Sequence, residues 1–178
     1  TWPNRLNDAV KLLDKLEKIA GESKSPDTIG QYLQAHEAYI GAVSRTSSNG
    51  WQTALGSIDG NIQRYDARTE PLIEKYLPWL HVNRGISLRH VGRTPEALAE
   101  LDGVVSRFGS SQAVDTLRAV ATALSEQAYI QHPHAPELAR KALEELVRRF
   151  ESHPAPGLQS LVQLAKQRLQ RANQSVSG

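Results

Sequence analysis

Apolar residues recur along this chain every three or four positions, and three stretches repeat one pattern. They are ALGSIDGNIQRY (54–65), ALAELDGVVSRF (97–108) and ARKALEELVRRF (139–150), spaced 43 and then 42 residues apart. In the first copy Ala54, Leu55, Ile58, Ile62 and Tyr65 fall on a helical period, so each copy carries one face made for burial. Val and Ile stand singly at helical spacing, never in the alternating runs with hairpin turns that mark strands. The pattern predicts an all-α chain in which each repeat is one supersecondary unit and stacked units bury a shared core.

Gly, Pro and Ser punctuate the helices. A first helix capped by Asn4 or Asn7 is expected to stop at Gly21, and Ser25-Pro26-Asp27 to open a second that runs to about Arg45 before the TSSNG turn (46–50). A third covers Trp51 to about Asp66. Thr69-Glu70-Pro71 starts a fourth, which Pro78 kinks or breaks because a proline inside a helix removes a hydrogen bond and clashes with the preceding turn. Gly92-Arg93-Thr94-Pro95 reads as a tight turn with Thr94 as cap, opening a helix to Phe108. Further helices are expected over about 112–131 and 137–151, and a last one to about Ala172, with a disordered tail at 173–178. Small residues at Ala42, Gly85 and Ala128, facing Ala54, Ala97 and Ala139, predict close pairing of each repeated helix with the longer helix before it. Asp59-Gly60 and Asp102-Gly103 repeat inside that helix, where a glycine costs about 0.8–1 kcal/mol, which predicts close packing or a shared bend.

With 178 residues, 39% of them hydrophobic, the chain can bury a real core, and one domain over residues 1–172 is the expectation. No apolar run is long enough to cross a membrane and the first twenty residues hold no signal-peptide core, so a cytoplasmic protein is expected. With no cysteine there is no disulfide, thiol nucleophile or thiolate-held zinc. The chain starts at Thr1 and lacks methionine, which reads as a domain excised from a longer protein. Residues 1–109 carry thirteen basic and thirteen acidic side chains, so the formal +2 charge lies wholly in the C-terminal third. A nucleic-acid binder needs a broader basic stripe than that. Arg64, Arg107 and Arg148/Arg149 instead stand near helix C-termini, where cations offset the macrodipole.

The stretch NRGISLRHVGRTPEALAELDGVV (83–105) resembles a tetratricopeptide repeat, with Asn83 and Gly85 in the first helix, Gly92 at the turn and Glu96-Ala97-Leu98 opening the second. The family's period of about 34 residues is exceeded here, and the surplus is expected in longer first helices. The resemblance implies a right-handed solenoid of antiparallel helix pairs, about seven or eight helices in all, with first helices lining a concave groove and a C-terminal capping helix. A compact bundle is the structural alternative. Placed by their small residues, the long helices would present His36, Tyr39 and Val43, then Trp79, Asn83, Ile86 and Arg89, then Glu126 and Tyr129 to that groove. Asn83 falls where many members of the family hold a ligand's main chain, and an amide both donates and accepts. Arg89 and Glu126 would supply charge selectivity, and Tyr39, Trp79 and Tyr129 apolar anchoring.

Catalytic motifs are missing. There is no phosphate loop, nucleophile elbow or dinucleotide fingerprint. HEAYI (36–40) begins like a zinc-protease helix but has Ile40 where the second histidine belongs, and the loop histidines His132 and His134, with His153, lack an arranged carboxylate. The expectation is therefore a protein-interaction module, not an enzyme, with no cofactor or metal. Its partner would be a protein or peptide, with no membrane, and nucleic acid is disfavoured. The alternatives are a sensor domain binding a small ligand, or a nucleic-acid regulator acting through the basic C-terminal third.

Overall fold

The computed structural model of the protein describes residues 2–44 and 49–176, so positions 46–48 of the expected turn, and residues 177 and 178 of the expected tail, lie outside it. The fold is all-helical, with no strand among the described residues. The chain divides between Gly92 and Arg93 into two compact units, and the single domain expected over 1–172 spans both. The first unit holds α1 (Trp2–Glu22), α2 (Pro26–Val43), α3 (Gly50–Tyr65), the four-residue α4 (Pro71–Glu74) and α5 (Leu77–His90). The second holds α6 (Thr94–Phe108), α7 (Val114–Gln131), α8 (Pro136–Phe150) and α9 (Pro156–Val176).

Proline sets most of the starts. It occupies one of the first two positions of α2, α4, α5, α6 and α8, where its missing N–H would have had no partner anyway. Pro78 breaks the expected fourth helix in two, since α4 stops at Glu74 and α5 restarts at Leu77. Three expectations at helix ends are corrected. Asn4 and Asn7 lie inside α1, which begins at Trp2. Arg93, not Thr94, occupies the cap position of α6: Gly92 at φ 81° turns the chain one residue early, and the Arg93 guanidinium reaches Glu96. The last helix passes Ala172 and continues to Val176.

The three repeats are equivalent in burial. Each lies in a helix that ends on its final aromatic residue, Tyr65, Phe108 or Phe150. Ala54, Ala97 and Ala139 are buried, as are Ile58, Leu101 and Leu143 one turn later. The next inward position holds Asn61, Val104 and Leu146, so the first copy alone has a polar residue there. The helix that follows repeats too, because Leu77, Val120 and Val162 are buried at matching positions, as are Leu80, Ala123 and Ala165.

For α3 and α6 the main partner follows the repeated helix in the chain, whereas α8 packs most on the preceding α7. α3 packs chiefly on α5 and only lightly on α2, α6 packs on α7, and α8 packs on both α7 and α9. Within a unit, pairing with the preceding helix is close for α8 on α7 and slight for α3 on α2; α5 and α6, which share the tetratricopeptide-like stretch, fall in different units. The repeated aspartates mark the true register. Arg84 Nε donates to Asp59 Oδ1 at 2.6 Å, and Gln127 Nε2 donates to Asp102 Oδ1 at 2.5 Å; in both copies the donor stands 25 residues after its acceptor. Of the expected small-residue positions Gly85 and Ala128 are buried, whereas Ala42 faces solvent.

Gly60 and Gly103 are exposed, and a Cβ at either would meet nothing within 4 Å, which overturns the expectation of close packing there. Both are helix-interior glycines with no steric duty. Gly60→Ala and Gly103→Ala are each expected to raise the unfolding free energy by about 0.5–1 kcal/mol in urea titrations. A loss of stability would show that these positions pack after all.

Candidate functional site

In the first unit α2 and α5 leave a cleft between them. Leu33, Glu37 and Ile40 recur at helical spacing along one side of α2, while Tyr76, Trp79, Leu80 and Asn83 do the same at the start of α5. The space is shallow and open to solvent. Leu33, Ile40 and Leu80 are buried and form its base; Tyr76, Trp79 and Asn83 are half-buried, and Glu37 is exposed. Nearly all of the lining is apolar, with the amide of Asn83 and the carboxylate of Glu37 as its polar groups. The break at Pro78 creates the arrangement, because the restarted helix carries Trp79 and Asn83 one turn apart toward α2.

The other side of α2 meets α3 through a polar seam. His36 is fully buried, and its Nε2 lies 2.7 Å from Ser57 Oγ, while Nδ1 has no hydrogen-bond partner among the described residues. The rings of Tyr32 and Tyr39 flank it at centroid distances of 5.9 and 6.1 Å. Burial pushes the His36 pKa down to about 4 and that of Tyr32 up to about 12, the latter opposed by the adjacent Asn61 amide.

The structure brings together some of the sequence-predicted residues and separates others. Trp79 and Asn83 share the cleft. His36 does not face a groove: it is 0% exposed and belongs to the interior. Val43 is buried in a cluster with Ile40, Ala54 and Ile58, and Tyr39 packs half-buried against it. Ile86 and Arg89 are half-buried further along α5; Arg89 Nη2 lies 3.0 Å from His90 Nε2, and the His90 ring stacks on Trp51 at 3.8 Å. Glu126 and Tyr129 stand on α7 in the second unit, the former half-buried and the latter 56% exposed. Leu33, Ile40, Tyr76 and Leu80 are cleft residues that the reading of the sequence missed. The spacing of Leu33, Glu37 and Ile40 on a single face of α2 was the available signal.

The remaining motifs resolve simply. His132 and His134 are exposed in the α7–α8 connection, and His153 Nδ1 accepts from the Ala155 N–H at 3.2 Å. Among the described residues no group of three His, Cys, Asp or Glu is placed to hold a metal ion, and no helix is long and apolar enough to cross a membrane. Much of the basic C-terminal charge is locally paired. Arg148 and Arg149 both bond Glu145, at 2.7 and 2.5 Å, and hold its carboxyl down at about 2. Arg140 pairs with Glu137 and Glu144, and Lys166 with Glu151. No protein-family model, no curated protein and no solved structure matches the chain.

Proposed function

We propose that this protein is an interaction module whose first unit holds a short segment of another protein in the α2–α5 cleft. One observation carries the reading: Trp79 and Asn83, chosen from sequence as apolar anchor and main-chain clamp, meet in one cleft with Tyr76 and three buried aliphatic side chains. Aromatic residues over an apolar base give affinity, and a half-buried amide fixes the direction of an extended chain. The wider architecture we read as a tetratricopeptide-like solenoid of antiparallel helix pairs. What supports this is the recurring contact between each Asp-Gly aspartate and the next helix, together with the matching contacts His36–Ser57 and Tyr32–Asn61, in which α2 and α3 run in opposite senses. Pairing of Arg148 and Arg149 with Glu145 weighs against a phosphate-binding surface in the C-terminal third.

The test is titration calorimetry with a peptide selected on the intact chain. Asn83→Ala is expected to weaken binding by about 1–3 kcal/mol, roughly five- to a hundred-fold, with an unchanged melting temperature. Arg148→Ala/Arg149→Ala should leave affinity where it was. If that double variant loses affinity and the Asn83 variant keeps it, the cleft is not the site.

A further inference from the structure

Among the described cleft-lining residues Glu37 is the one charged group. It stands at the solvent-exposed edge of an open cleft that is apolar and aromatic apart from the Asn83 amide, and it forms no ion pair or hydrogen bond among the described residues. An apolar or acidic occupant would strip water from this carboxylate and return nothing to it, which costs free energy. A lysine or arginine side chain satisfies both halves of the surface at once: its methylene stem lies along the aromatic walls, and its cationic head reaches the carboxylate. The indole of Trp79 favours a cation over a neutral chain of equal length, and a planar guanidinium over an ammonium, while the Tyr76 ring already has the Lys75 ammonium 5.6 Å from its centroid.

We propose that the cleft selects a basic side chain, arginine in preference to lysine, from an extended partner segment whose main chain is held by Asn83. This rests on the interaction reading above and gives the partner its chemistry. Charge complementarity to Glu37 is what commits the site to that occupant.

Selection of a random peptide phage library on the intact chain tests it. Selected sequences should share an arginine or lysine at one position. In a synthetic copy of such a peptide, changing that residue to norleucine or glutamate should lower affinity tenfold or more. Glu37→Gln should weaken the parent peptide about tenfold while leaving the norleucine peptide unaffected, and Glu37→Lys should turn the selection toward acidic residues. Glu37 is exposed, so both variants should melt with the parent. Peptides that lose affinity on Trp79→Ala and Asn83→Ala, but show no basic preference or bind Glu37→Gln equally well, would overturn this inference and leave the cleft as a site. A selection yielding no peptide sensitive to Trp79→Ala would overturn both.

Discussion

Lowering the pH from neutrality to about 4 is expected to remove about 3 kcal/mol of stability through His36 alone, at roughly 1.4 kcal/mol per pH unit of displacement. The ring is fully buried, and its folded-state pKa lies near 4 against the ordinary 6.5, because burial disfavours the cation. An imidazolium needs an acceptor at each nitrogen, whereas this one has the Ser57 hydroxyl on one side and, among the described residues, no partner on the other. The neighbouring rings of Tyr32 and Tyr39 supply no negative charge. The unfolded chain therefore takes up the proton first. Stability is complete above about pH 6.5, falls as the pH drops toward 4, and levels off below, where both states are protonated. Glu70 and Glu145, held near 2 chiefly by Arg68 and Arg148, act below their ordinary 4.5 and so in a separate window. His90 is displaced in the same direction as His36, by burial and by Arg89, so the comparison must be made within one background. Urea unfolding of the parent and of His36→Gln across this range isolates the effect. Superimposable pH profiles would mean that His36 is not held as a neutral, dry imidazole.

Leu101→Ala is expected to cost about 2–5 kcal/mol, the range for emptying a fully buried leucine site. Leu101 is the inward residue one turn after Ala97, and its counterparts Ile58 and Leu143 are buried in the other copies. Leu138→Ala, on the 49% exposed face of α8, provides the comparison and should cost under about 1 kcal/mol. Equal losses in thermal unfolding would mean that the inward register assigned to the second repeat is wrong.

Much of this was legible in the chain. The ends of α3, α6 and α8 at Tyr65, Phe108 and Phe150 follow from the repeat, and the break before α5 follows from the backbone chemistry of Pro78. Periodicity reports which face of a helix is buried but not what covers it, so each repeated helix was assigned to the helix before it, which holds for α8 on α7 but not for α3, where the later α5 dominates. His36 was misplaced for a related reason. Placing α2 by its small residue Ala42 turned His36 toward a groove, whereas the inward run of Tyr32, His36 and Ile40 gives its true direction. Asn61 shows the same concealment, since its inward position emerges only beside Val104 and Leu146 in the other copies. The cleft was half visible because its two sides, α2 and α5, are separated by two further helices in the chain.

The paired aspartates have one more consequence. Asp59 is answered by a guanidinium and Asp102 by a neutral amide, although both contacts occupy the same place in their copies. Dissolved ions shield attraction between two net charges far more than they weaken a bond from carboxylate to amide, and Arg84 and Asp59 are exposed enough to feel that shielding. Ionic strength thus weakens the Arg84–Asp59 contact of α3 with α5 while leaving the Gln127–Asp102 contact of α7 with α6 nearly as it was. Two copies of one motif, alike in geometry, differ in how they respond to salt.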